Sequence, residues 1–235
     1  MNNNPTILIT GNRKGIGLHL TKYFINKNYN IIGCSRSESD FTHPNYVHFI
    51  CDVSDEKTVK SVVKQGKKRF GKIDILINNA GIASLNHSLL TPGVTVEKVF
   101  STNFSGSFFF SREVAKVMLK QKKGRIINFS TVAVPMNLDG EMVYASSKAA
   151  VEKMTKIMAK ELAPNGITVN CIGPTPIYTD LIKTVPKDKI DELLEKQAIK
   201  RLGEYPDIEN IIEFYMSDKS NFVTGQILYL GGLWI

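Results

Sequence analysis

Cysteine is scarce in this chain: Cys34, Cys51 and Cys171 stand far apart, with neither metal-ligand nor redox-pair spacing. No window holds the roughly eighteen consecutive apolar residues that a membrane span needs. Met1-Asn2-Asn3-Asn4-Pro5 lacks the basic and apolar regions of a signal peptide. A cytoplasmic protein with reduced thiols is the expectation. Internal repeats, linkers and low-complexity segments are absent too, so 235 residues read as one domain, 1–235, large enough for a single core. The four His residues show no partner pattern, and no metal site is expected. The net charge of +8 is spread along the chain rather than gathered in one block, which argues against nucleic acid and leaves a preference for anionic ligands. The densest basic stretch, Lys64 to Arg69, reads as a solvated helix end.

What the chain does have is a steady alternation of strand and helix patterns. Thr6-Ile7-Leu8-Ile9 is a short β-branched run, followed by a glycine-rich turn and by Ile16, Leu20 and Phe24 at helical spacing. Further strands are expected at 30–34, 46–50, 73–77, 125–129, 166–172 and 226–230. Helices are expected between them, one running through Asn103 to Lys120 and one after Tyr144 with Val151, Met154, Met158 and Leu162 buried. Such alternation predicts a doubly wound parallel α/β sheet of about seven strands, with helices on both faces. The stretch from Pro174 to Pro206 breaks the rhythm, and long connections of this kind are often binding loops.

Three motifs carry chemistry. Thr10-Gly11-Asn12-Arg13-Lys14-Gly15-Ile16-Gly17 lies between a strand and a helix, where glycines let the backbone approach a pyrophosphate seated on free N–H groups. Asn78-Asn79-Ala80-Gly81 ends the fourth strand, on the sheet edge where open α/β folds bind ligands. Tyr144 and Lys148 are four apart, hence on one helix face. A phenol ordinarily ionises near pH ~10. An ammonium one turn away favours the phenolate, so this pair can exchange a proton with a carbonyl or alcohol oxygen.

In this order the motifs, with Cys51-Asp52-Val53, Asn103, Val169-Asn170, Arg201-Leu202-Gly203 and Thr224-Gly225-Gln226, resemble the short-chain dehydrogenase/reductase family over the whole chain. The resemblance implies a Rossmann-type fold and a dinucleotide held by Gly11, Arg13, Lys14, Gly15, Ile16 and Gly17. It implies that Asp52 and Val53 contact the adenine and that Asn78, Ala80 and Gly81 line the ribose side. Pro174, Ile177 and Thr179 would lie at the nicotinamide. Tyr144 would pass the proton, and Lys148 would lower its pKa and bind the nicotinamide ribose, with a water carried to it by Asn103. Asp52 has a second reading as a cap of the helix at Ser54-Asp55, and Asn103 as a helix-start residue.

The chain departs from the family in three places. Thr131 stands where a catalytic Ser is usual, thirteen residues before Tyr144. It keeps a hydroxyl and adds a methyl, while the adjacent Ser130 should point to the opposite face. Thr175 replaces a Gly after Pro174, and Leu230 replaces an Asp before Gly231-Gly232. The second strand ends Gly33-Cys34-Ser35-Arg36 without a carboxylate, so Ser35 and Arg36, with Lys14, suit a 2′-phosphate and NADP(H) over NAD(H). The expected reaction is hydride transfer between nicotinamide and a ketone or secondary alcohol. A 3-oxoacyl thioester is the nearest substrate by resemblance, on Gly124-Arg125-Ile126-Ile127 and the basic Lys122 and Lys123. Asn165, where those reductases often have Arg, speaks against it. A sugar, polyol or secondary-metabolite ketone, or a non-catalytic dinucleotide-binding protein, are the alternatives. The apolar tail Leu233-Trp234-Ile235 suggests a subunit interface in a homotetramer or dimer.

Overall fold

The computed structural model describes residues 4–178, 182 and 185–233. Seven strands make one parallel sheet: β1 (Thr6–Thr10), β2 (Asn30–Ser35), β3 (Tyr46–Ile50), β4 (Ile75–Asn78), β5 (Gly124–Phe129), β6 (Ile167–Gly173) and β7 (Ile227–Tyr229). Their order is β3-β2-β1-β4-β5-β6-β7, a doubly wound sheet that changes direction between β1 and β4. The expected Rossmann-type fold is borne out.

Because side chains alternate along a strand, each inner strand feeds two cores. Leu8, Ile32, Leu76, Ile126 and Val169 face α2 (Glu56–Phe70) and α4 (Gly106–Gln121), packing with Val59, Val62, Phe110, Val114 and Met118. Their neighbours Ile7, Ile31, Ile75, Ile77 and Ile127 face α1 (Gly15–Asn26) and α8 (Tyr205–Met216), against Leu20, Phe24, Ile208 and Ile212. Burial on both sides is why these strands read as continuous apolar runs rather than alternating ones. Each buried Ile or Leu contributes roughly 1.5–3 kcal/mol by removal from water.

Local signals set the helix ends. Asp55 caps α2 by accepting from the Lys57 N–H (3.0 Å), and Lys67, Lys68 and Arg69 occupy its last turn, as the basic run implied. Asp52 is therefore not the cap. Its carboxylate accepts from the backbone N–H and hydroxyl of Ser54 (2.9 and 2.7 Å), which leaves it at the sheet edge. The helix expected from Asn103 starts earlier: α3 (Gly93–Phe100) runs into a π-helical turn at Ser101–Ser105 and on into α4. The Pro174 to Pro206 stretch contains α7 (Lys187–Glu195), with Leu193 buried and Ala198 beyond its end. A short helix, α5 (Ala133–Met136), and a long one, α6 (Met142–Leu162), follow β5. Trp234 and Ile235, on which the interface expectation partly rests, lie outside the described residues.

Candidate active site

The carboxyl ends of β1, β4, β5 and β6 open onto two adjoining cavities. In the first βα turn Gly11 has φ +67°, and a Cβ there would stand 2.8 Å from Ala80 Cα. The close approach is held from the other side. Asn79 Nδ2 donates to Thr10 O and Gly11 O (2.9 and 3.1 Å), and the Ala80 N–H donates to Thr10 Oγ1 (3.0 Å). The α1 N-terminus beyond has no acidic residue in its first turn and no side-chain cap, so its N–H groups and the dipole suit an anion.

The first cavity, about 440 Å³, is lined by Gly11, Arg13, Lys14, Gly15 and Ile16 at one side. Ser35, Arg36, Asp52 and Val53 line its far end, and Ala80, Gly81, Tyr144, Lys148 and Pro174 its inner end. These residues fit an elongated dinucleotide. The Ser54 hydrogen bonds, with the Arg36 guanidinium adding attraction, hold the Asp52 carboxyl below its ordinary pKa. Gly17 is not part of this wall. It is buried beneath, where a Cβ would come 2.4 Å from Gly11 O, and its role is helix-to-turn packing.

Asn78 also needs correction. Its Nδ2 donates to Ser111 Oγ and Asn128 Oδ1 (both 2.8 Å), so the side chain ties β4 to α4 and β5 instead of lining the ribose side. Asn79, Cys51, Ile82 and Thr102 line the cavity without having been expected there. Strand alternation lets only one of Asn78 and Asn79 face the cavity, and the packing around Asn78 makes it Asn79.

Lys148 is buried, and its Nζ donates to Phe129 O at the end of β5 (2.8 Å). Burial lowers its pKa to about 8. Tyr144 lines both cavities. Burial pushes the phenol up to about 12; a hydrogen bond with Thr131 works against the rise, and the Glu141 charge adds to it. Desolvation disfavours the phenolate and the ammonium alike, so the phenol pKa rises here instead of falling toward neutrality as the Tyr–Lys spacing implied. At neutral pH the phenol holds its proton and can donate it.

The two hydroxyls after β5 take different partners. Thr131 meets Tyr144 and also accepts from the Ala133 N–H (3.2 Å). Ser130 Oγ donates to Glu152 Oε1, which also accepts from the Tyr229 hydroxyl (2.6 Å). Ser130 nonetheless borders both cavities. Asn103, inside the π turn, is fully buried and engaged at both ends of its amide. Oδ1 accepts from the Ile82 N–H (2.9 Å), while Nδ2 donates to Ile82 O and Ser147 Oγ (3.0 and 2.9 Å). It fastens the loop after β4 to α6, and π turns are frequent at functional sites.

The second cavity, about 220 Å³, shares Ile16, Ser130, Tyr144 and Pro174 with the first. Thr131, Ile177 and residues of α7 line it, together with Glu141, which sequence reading passed over. Thr179 lies outside the described residues. The Thr175 departure has a structural account. Its buried hydroxyl donates to Gln197 Oε1, and Gln197 Nε2 donates to Ile199 O and Arg201 O (3.1 and 3.2 Å). Gly231 and Gly232 complete the clasp by accepting from the N–H groups of Ile199 and Ala198 (3.0 and 2.9 Å).

A doubly wound sheet with a nucleotide-shaped cavity and a Tyr–Lys pair at its inner end defines a dinucleotide-dependent oxidoreductase class. The family model described as short chain dehydrogenase matches residues 5–190. The chain belongs to the short-chain dehydrogenase family. It is similar to the 3-oxoacyl-acyl-carrier-protein reductase FabG of Staphylococcus epidermidis, 32% identical over 239 residues, covering 97% of this chain and 98% of that one. The FabG of Escherichia coli is 32% identical over 231 residues, covering 96% and 95%. Among solved structures, ElxO with NADP bound superposes with a TM-score of 0.88 at 30% identity, covering 97% of each chain.

Proposed function

We propose that this protein is an NADP(H)-dependent oxidoreductase that interconverts a ketone and a secondary alcohol. The observation that carries the reading is the protonated Tyr144 phenol at the seam of the two cavities, bonded to Thr131 and one turn from the buried Lys148. When bound, NADP(H) would supply or accept the hydride at the carbon bearing the oxygen. Tyr144 gives its proton to that oxygen in reduction and takes it back in oxidation. The Thr131 hydroxyl donates to the same oxygen as charge develops there. Lys148 would hold the nicotinamide ribose, and Asn103, bonded to Ser147 and Ile82, keeps the start of α6 and the loop after β4 in place. Arg36 and Lys14, both on the first cavity, support NADP(H), as does the NADP in the ElxO structure.

The relatives named above favour a 3-oxoacyl thioester. Lys122 and Lys123, which also suggested it, precede β5 at the amino edge of the sheet, away from both cavities. Glu141 on the second cavity favours the other reading, a polar ketone. A cytoplasmic homo-oligomer remains part of the proposal.

Cofactor oxidation with a panel of diketones and 3-oxoacyl thioesters tests the class. Tyr144→Phe should keep its melting temperature and cofactor affinity and lose about 10²–10⁴-fold in kcat. Wild-type turnover by that variant would sink the mechanism. Arg36→Ala should weaken NADPH and not NADH binding in titration; equal or tighter NADH affinity in the wild type would end the cofactor assignment.

A further inference from the structure

Glu141 occupies the N-cap position of α6, where short oxygen side chains usually accept from the free helix N–H groups. Its carboxylate makes no such cap. Only its backbone is used there, donating to Leu138 O (3.2 Å) and accepting from the Ala145 N–H (2.8 Å). Among the described residues the carboxylate has no hydrogen-bond or ion-pair partner. It lines the second cavity, one helical turn before Tyr144, and partial burial raises its pKa.

Among the described residues, the cations on this cavity are engaged elsewhere. Lys189 and Lys196 are both drawn to Glu192, with Nζ–O distances of 3.4 and 2.9 Å. Asp139 adds a further carboxylate at the rim. Against these polar groups stand apolar walls from Leu85, Val132, Ile177 and Ile190. A half-buried carboxylate on the cavity wall that takes no partner among the described residues can take one from the ligand, and charge-assisted hydrogen bonds are the strong ones. Residues three apart on a helix are neighbours, so a ring-sized molecule can reach Glu141 and Tyr144 together.

We propose that Glu141 selects the substrate: the ketone reduced here carries a protonated amine, which Glu141 receives while the carbonyl oxygen meets Tyr144 and Thr131. This rests on the carbonyl-reductase reading above. N-methyl-4-piperidone and 4-methylcyclohexanone have the same shape, and only the first is a cation near neutral pH. The wild type should favour the piperidone in kcat/KM. Glu141→Gln should lower that value by about 10- to 100-fold, the worth of one hydrogen bond between charged groups, mainly through KM. The cyclohexanone should be reduced at a nearly unchanged rate, with melting temperature and NADPH affinity preserved, and Glu141→Asp should fall between. A wild type that prefers the neutral ketone, or a Gln variant that keeps the preference for the cation, overturns the inference and leaves the carbonyl-reductase reading standing. If neither ketone nor any member of the wider panel is reduced, both fall.

Discussion

Thr131 and Ser130 present the same hydroxyl chemistry to different partners. Removing the donor at Thr131 with Val, which keeps the shape, should cost about 10²–10³ in kcat, as for other single oxyanion-type donors. Thr131→Ser should stay active, and the space freed by the methyl should admit bulkier ketones. Ser130→Ala should spare turnover and lower stability by about 1 kcal/mol, because Glu152 loses one of its two donors. Steady-state kinetics and thermal melts on the three variants separate these outcomes. An inactive Ser130→Ala beside an active Thr131→Val would reverse the two roles. Lys148 carries the opposite balance of stability and function. Its folded pKa of about 8 lies below the ordinary lysine value of 10.5, so the unfolded chain binds the extra proton between those limits. The group therefore destabilises the fold below pH about 8, and the penalty fades as pH rises to about 10.5. Lys148→Met should melt higher than wild type near pH 7, by a margin that shrinks toward pH 10, while activity is lost. A lower melting temperature at pH 7 would mean that the bond to Phe129 O outweighs desolvation. The Tyr–Lys spacing was legible in the sequence because it is local. The raised phenol pKa was not, since it depends on what encloses the hydroxyl.

Among the elements, strands and long helices were readable because their apolar periods are strong. The π turn around Asn103 was not, as nothing in Ser101–Ser105 marks a change of hydrogen-bond pattern. Helix α3 escaped for a related reason: only Val99 is buried, so it offers no apolar stripe. The segment after β6 is the element most dependent on tertiary contacts. Thr175 there is joined to Gln197, and Gln197 to the backbone of 199 and 201. Thr175→Val should strand the buried Gln197 acceptor at a cost of about 1–3 kcal/mol. Because this clasp adjoins the second cavity, KM for the ketone should rise more than kcat falls. A melting temperature and KM equal to wild type would show that the hydroxyl carries no weight.

At the scale of the whole molecule, a doubly wound parallel sheet followed from the alternation of strand and helix patterns, but the meeting of distant side chains did not. Asn78 and Asn79 illustrate this: the motif named both, and only the packed sheet edge decides which one faces inward and which outward. The same holds for Asn12, which the glycine motif treated as a spacer. It is fully buried beneath the first turn, where Nδ2 donates to Thr21 Oγ1 and the Tyr46 hydroxyl (3.2 and 2.8 Å). A Cβ on Gly33, in the neighbouring strand, would sit 1.9 Å from that nitrogen. The history of the two positions is therefore coupled. Any side chain at 33 is barred while Asn12 stands, and shortening Asn12 first leaves two buried hydroxyls without its amide. Each single step descends in fitness even where the double change packs well. Descendant lineages should carry both residues or neither, and an intermediate with only one of them replaced should be rare.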